Sequence, residues 1–291
     1  MTLSPDHIFD PPAPIDEGKF SVNIEELSLD LLPGVVPIPE ARLDTRTDKA
    51  IVDSLMTYHA VETEKNIWAF WHSGFSKMNP WLQRNVINWV RRLGPEWTIR
   101  VLDRAEGSPN NVYRFCPASW FPQSFNEQTM HGPHTGPHMA DMVRLPCIYL
   151  HGGIWVDAGS ILLRHVDDIC WKVLEDPNSP YKLAGFEHER RPGFDSMNNS
   201  FIASKKENPF IKRWHTVFQE LWRDRTECKG IHKHPLINHL PLLQHSTIEH
   251  DPEDLSDYIS QCMAFDRLRL LEDPSDGFNG VRYFEEKVFM L

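Results

Sequence analysis

NIWAFWHSGFSKMNPWLQRNVINWVRRLGPEWTIRVLD, Asn66 to Asp103, is the stretch whose pattern decides the fold of this chain. Asn66–Phe70 is a compact apolar run that reads as a strand. Asn79-Pro80 has the form of a helix start, with Asn at the N-cap and Pro in the first turn, where a missing N–H costs nothing. Leu82, Val86, Trp89, Val90 and Leu93 then recur at helical spacing, and Gly94 stops the helix. Trp97–Leu102 is the next apolar run, followed by Asp103. A β-α-β unit of this kind implies parallel strands joined by a right-handed crossover.

The pattern extends on both sides. A loop rich in Pro, Asn and His follows, to about residue 136. Pro137 opens a second helix carrying His138, Asp141 and Arg144. Pro146 lies inside it and removes a backbone donor, which predicts a kinked or shortened segment. Gly152-Gly153 ends the helix, and strand Ile154–Val156 follows at once, closed by Asp157. Further strands are expected at Leu183–Phe186 and Ser200–Ala203. Asn208-Pro209 repeats the helix start, and Phe210, Ile211, Trp214, Val217, Phe218 and Leu221 give that helix an apolar face. Beyond about residue 225 the periodicity weakens, which predicts an irregular C-terminal part. Residues 1–48 are rich in Pro and acids and read as a partly ordered extension, with Leu27–Val36 as its one apolar patch. The division expected is therefore an extension over 1–48 and a single α/β domain over 49–291.

Composition narrows the function. The chain has 291 residues and a formal net charge of −11, so it lacks the basic footprint of a nucleic-acid binder. Any anionic ligand must be held by a local pocket. Five cysteines without a CxxC pair read as reduced core thiols. The N-terminus MTLSPDHIFDPPAP carries acids and prolines where a signal peptide carries a basic head and an apolar run. No stretch approaches the ~18 apolar residues of a membrane span. The expectation is a cytoplasmic protein.

Chemistry gathers at one sheet edge. In an open parallel sheet, ligands bind outside the carboxyl ends of the strands. Asp157 ends its strand there, and Trp71 and His72 end the first strand at the same edge. Asp141 and Arg144 share a helix face. A flat aromatic, an arginine and two carboxylates suit a nucleotide diphosphate sugar, which offers a flat base, hydroxyls and phosphates.

The blocks IWAFWHSG, NPWLQRNVINWVRRLGPEWTIRVLD, MADMVRLPCIYLHGGIWVDAGS and NNSFIASKKENPFIKRW occur in this order. Together they resemble the sugar-transferase family that carries a DxD motif (glycosyltransferase family 32-like), especially its branch of capsular polysaccharide synthesis proteins. The resemblance covers roughly residues 64 to 222, the expected donor-binding core, and leaves 223–291 as an acceptor or closing region. It implies a GT-A-like fold, a mixed and mostly parallel sheet flanked by helices, and a UDP-sugar donor. It further implies that Trp71 stacks on uracil and that Asp141 and Arg144 contact the donor sugar and phosphates. Trp155 falls where the family has an aromatic before its acid motif. Gly153 and Asn199 join His72 as expected donor-site residues. Asp157 matches the first acid of DxD, and Gly159 stands where the family has its direct metal ligand. A divalent cation, Mn²⁺ or Mg²⁺, is therefore expected to rest on Asp157 and the diphosphate.

The resemblance implies a glycosyltransferase moving a hexose or N-acetylhexosamine to a hydroxyl of a small metabolite or glycan, with retention. An inverting reaction would need a base, for which Glu187, His188 and Asp195 are the candidates. Two other readings compete. Loss of the second acid suits a nucleotide-sugar-binding protein without turnover. The run HGPHTGPH, His131–His138, suits a metal centre built from His131, His134 and His138.

Overall fold

The computed structural model describes residues 38–191, 194–243 and 251–291, without the side chains of 189–195. The patch Leu27–Val36 lies outside the described residues. Helix α1 (Asp48–Leu55) is capped by Thr47, whose side chain accepts from the Ala50 N–H. Strand β1 (Asn66–Phe70) follows and is buried at all five positions. Its alternate residues divide the interior. Ile67 and Ala69 enter one apolar cluster, Trp68 and Phe70 the other, as a period of two requires.

Each cluster is closed by a helix. Helix α2 (Pro80–Leu93) covers the first with Leu82, Val86, Trp89, Val90 and Leu93. Helix α3 (Thr135–His151), beyond strand β2 (Thr98–Leu102), covers the second with Met142, Val143, Leu145 and Ile148. The α2 start needs no side-chain cap: Asn79 occupies the N-cap without one. Helix α3 begins two residues before Pro137 and runs five residues past Pro146, so the proline does not shorten it. Residues Asp141–Ile148 are all buried, and packing on both sides offsets the one lost backbone bond.

Strands β3 (Gly153–Val156), β4 (Leu183–Arg191) and β5 (Phe194–Ser204) complete the centre of the sheet. Helix α4 (Pro209–Leu221) has a working cap: Asn208 accepts from the Phe210 N–H at 2.9 Å. The C-terminal part is more regular than its sequence pattern. It contains α5 (Pro252–Tyr258), α6 (Ser260–Arg269), α7 (Gly280–Lys287) and strand β6 (Val288–Met290). These elements are short, so too few turns repeat for periodicity to show.

The sheet order is β2-β1-β3-β5-β4-β6. Pairs β1/β2, β1/β3 and β4/β6 are parallel, and β5 is antiparallel to both neighbours. The expected mixed, mostly parallel α/β sheet with flanking helices is the architecture observed. Both β4 and β5 run longer than their apolar cores, because the hairpin continues through the polar residues Glu187–Arg191.

The Gly-Gly turn explains how α3 can feed β3 without a loop. Gly152 and Gly153 have φ of 69° and 104°. A Cβ on Gly153 would lie 2.4 Å from the Asn66 carbonyl oxygen, at the start of β1. Only glycine combines that backbone with that approach. Gly153→Ala is expected to lower unfolding free energy by at least about 2 kcal/mol from strain and collision together. Gly277→Ala, also at positive φ but with nothing within 4 Å, isolates the strain alone and loses less. Urea denaturation of both variants measures the difference; equal losses would refute the close-approach argument.

Candidate active site

Asp157 is placed by two neighbours. Its N–H donates to the Ser200 carbonyl of β5 at 2.9 Å, and its own carbonyl accepts from the Ser160 N–H at 2.8 Å. The turn so formed is pinned from α2. Asn85 Nδ2 donates to the carbonyls of Ala158 and Ser160, each at 2.8 Å, and Trp89 Nε1 donates to the latter at 3.0 Å. Asn85 stands in the apolar stripe of α2, one turn after Leu82. A buried polar residue in such a stripe needs a partner, and that was the available sequence signal for its role.

A cavity of about 430 Å³ opens at this strand edge. Trp71, His72, Asp141, Arg144, Trp155, Asp157 and Asn199 all line it, and so does Gly159. Of the expected donor-site residues, Gly153 alone is elsewhere. It begins β3, at the opposite end of the strand from Asp157, where its close fit to Asn66 fixes its identity. Glu187 and His188 sit on β4 and do not line the cavity. The side chain of Asp195 lies outside the described residues.

Arg144 is the junction of the site. Its Nη2 lies 3.0 Å from Asp141 Oδ1 and 3.2 Å from Asp157 Oδ1, and its Nη1 donates to the Asn199 carbonyl at 2.7 Å. The guanidinium also lies 5.1 Å from the Trp155 ring centre. Trp155 Nε1 donates to Asp157 Oδ1 at 2.6 Å, so this indole is both core and site wall. Exposure separates the three charged groups. The side chains of Arg144 and Asp141 are 3% and 8% exposed, whereas that of Asp157 is 42% exposed. Asp157 is thus the most open of the three to the cavity. The hydrogen bonds it receives from described residues fall on Oδ1, which leaves Oδ2 open. Enclosure by the cavity walls raises its pKa above the usual value, against the pull of Arg144 and the Trp155 bond; the Asp141 charge adds to the rise.

A second layer holds Asp141. Asn199 Nδ2 donates to its Oδ1 at 3.2 Å, and Gln261 Nε2 donates to its backbone carbonyl at 2.7 Å. Gln261 Oε1 in turn accepts from Asn199 at 3.2 Å. His138 Nδ1 lies 3.3 Å from Asp141 Oδ2. Burial favours neutral His138, but the bond and charge of Asp141, with help from Cys228, outweigh it and raise the pKa to about 9. Protonated His138 and Arg144 together balance the formal charges of Asp141 and Asp157.

The histidine run divides among separate tasks. His131 meets Thr226 at 3.0 Å and Glu227 at 3.9 Å, both on the surface. His134 packs its ring on Tyr258, with centroids 4.4 Å apart. Only His138 belongs to the site. Among the described residues, no three His, Cys, Asp or Glu side chains converge as a metal-binding group, so the competing three-histidine centre is not assembled. A hard divalent cation sharing its shell with a diphosphate needs only one or two carboxylates. Open Oδ2 of Asp157 meets that lower requirement, and Gly159 adds no side-chain ligand. Tyr258, Ile259 and Gln261 were missed by sequence reading; they come from the aperiodic C-terminal part.

Comparison with known proteins places the chain among relatives. A family model described as capsular polysaccharide synthesis protein matches residues 40–232. The chain is similar to the O-glycosyltransferase braB of Annulohypoxylon truncatum, 53% identical over 89% of this chain and 63% of that protein. It is 44% identical to the O-glycosyltransferase PaGT of Phomopsis amygdali, over 89% of this chain and 66% of that one. It is 43% identical to the glycosyltransferase afumC of Aspergillus fumigatus, over 84% and 64%. The chain thus spans less than two thirds of the length of these curated relatives.

A raised histidine pKa stabilises the fold fully below the unfolded value of about 6.5. The contribution is lost as pH rises through the folded value of about 9. Melting temperature of the wild type should therefore carry a component that falls between these limits, and His138→Gln should lack it. Identical pH slopes in the two proteins would show that His138 is not a charged partner of Asp141.

Proposed function

We propose that this chain, which belongs to the capsular polysaccharide synthesis protein family, is a glycosyltransferase using a nucleotide-sugar donor. The observation that carries the reading is the convergence of Trp71, Asp141, Arg144 and Asp157 on one cavity at the carboxyl edge of the sheet. The names of the relatives support the same activity.

The donor is a UDP-sugar carrying a hexose or N-acetylhexosamine. Trp71 stacks on the uracil, and His72 beside it faces the ribose and diphosphate. Asp157 Oδ2 accepts from donor hydroxyls. Arg144 acts through Asp157: it fixes the carboxylate and offsets its charge, so an anionic diphosphate can approach. A Mn²⁺ or Mg²⁺ ion would take Asp157 Oδ2 and phosphate oxygens as ligands and would neutralise charge on the leaving diphosphate.

Transfer joins the acceptor hydroxyl oxygen to the anomeric carbon. The bond from that carbon to the diphosphate oxygen breaks, and its electron pair leaves with the diphosphate. The acceptor proton passes to the departing phosphate on the same face, which gives retention and requires no protein base. Turnover separates the transferase from a protein that only binds nucleotide sugar.

UDP should raise the melting temperature of the full chain, since a ligand that binds only the folded form stabilises it. Trp71→Ala should remove most of that rise. Asp157→Asn keeps the Oδ1 acceptor and should melt cooperatively, yet lose at least about 100-fold in UDP release from a UDP-sugar. Mn²⁺ should restore turnover lost to EDTA. Normal turnover in Asp157→Asn would remove Asp157 from the mechanism.

A further inference from the structure

Beyond the pinned turn, the chain presents an arrangement that the donor site does not use. Ile161 and Leu163 are 71% and 75% exposed, while Leu162 between them is 6% exposed and belongs to the core. The turn at Ala158–Ser160 is held by Asn85 and Trp89, so these two aliphatic side chains project from a fixed support. They form one wall of a groove of about 590 Å³. Ile169, Phe186, Phe289 and Met290 contribute to the rest of it. Single exposed apolar residues are ordinary; a contiguous apolar groove with a polar rim marks a binding surface.

We infer that this groove seats the body of the sugar acceptor, and that the acceptor is a largely apolar molecule bearing a hydroxyl. The inference rests on the glycosyltransferase reading above and deepens it. The main argument is that neighbouring residues of the same segments line the donor cavity and the groove. Asp157, Ala158 and Gly159 line the cavity, and the next residues, Ser160 to Leu163, line the groove. On β5 the same handover occurs between Asn199 and Ser200. Both spaces are thus lined from the same turn after β3 and from neighbouring residues of β5, and the inference places the acceptor hydroxyl over that turn, toward the anomeric carbon above Asp157. The chemistry of the lining argues for the class. A glycan needs a hydrogen-bond partner for nearly every hydroxyl, because an unpaired polar group leaving water is costly. Ile161, Leu163, Ile169 and Met290 offer none. The polar lining residues Ser160, Ser200, Arg164 and Asp168 suit one or two hydroxyls on an otherwise apolar body.

The test uses the full chain and the double variant Ile161→Asp/Leu163→Asp, with 4-phenylphenol as apolar probe and cellobiose as polar control. Both substituted positions are exposed, and neither lines the donor cavity. Calorimetric titration without donor should show 4-phenylphenol binding to the wild type and at least tenfold weaker binding to the variant. The UDP-induced rise in melting temperature should be the same in both proteins. That rise reports the donor reading separately: its loss in the wild type would sink the proposed function and this inference with it. An intact UDP response with no 4-phenylphenol binding, or with equal binding in the variant, would overturn the groove alone. Binding of cellobiose in preference to 4-phenylphenol would overturn the apolar class. Two further outcomes reassign the surface and also overturn the inference. One is self-association that the double variant abolishes, seen by light scattering. The other is probe binding that emerges only in Leu31→Asp/Leu32→Asp, which would make the groove a seat for the chain's own N-terminal patch.

Discussion

A guanidinium buried to 3% exposure must have its charge met by its surroundings, and at Arg144 that demand organises the molecule's working edge. Removing one partner of a buried ion pair typically costs about 3–5 kcal/mol, far more than a surface pair is worth. Arg144 is met by Asp141 from its own helix, Asp157 after β3 and the Asn199 carbonyl of β5. Three segments distant in sequence are thereby brought to one point. The indole of Trp155 closes the arrangement with its ring against the guanidinium and its N–H on Asp157.

Rigidity then passes outward. Asn199 is tied to Gln261, and Gln261 to the Asp141 backbone, so α6 is fastened to α3 through the site. Trp214 of α4 donates to the Gln261 carbonyl at 2.7 Å and anchors that link in the core. On the other face, Asn85 holds the turn after Asp157. The open carboxylate oxygen is consequently presented by a frame in which every supporting group has a second task. Such support is what a binding group needs if it is to keep one geometry.

The centre of the fold could be read from sequence because its signals are local. Asn66–Phe70 and Pro80–Leu93 match their predicted limits, since Pro, Gly and apolar spacing act within a few residues. Trp71, His72, Asp141, Arg144 and Asp157 line one cavity, as their places at strand ends and on one helix face suggest; Trp155 and Asn199, expected at the donor site on other grounds, line it too. Gly153 was misplaced for an instructive reason: glycine beside a site residue looks functional, yet its identity is set by the Asn66 carbonyl. Gln261 and Tyr258 could not be found, since their contacts span more than a hundred residues of chain and leave no periodic mark. His138 stands both in the histidine run and one helical turn before Asp141, and the second relation is the one the structure realises.

Under the proposed function, the burial of Arg144 and the openness of Asp157 divide the labour: the first positions and the second binds. Substituting Arg144 by Lys keeps the positive charge but cannot bridge both carboxylates and the Asn199 carbonyl at once. The decisive measurement is the calorimetric affinity of UDP-glucose for the wild type and for Arg144→Lys, with the melting curve of each recorded. At least tenfold weaker binding in a variant that still melts cooperatively is the expected result. Undiminished affinity in such a variant would mean that the donor is held elsewhere, and that the Arg144 junction serves only the fold.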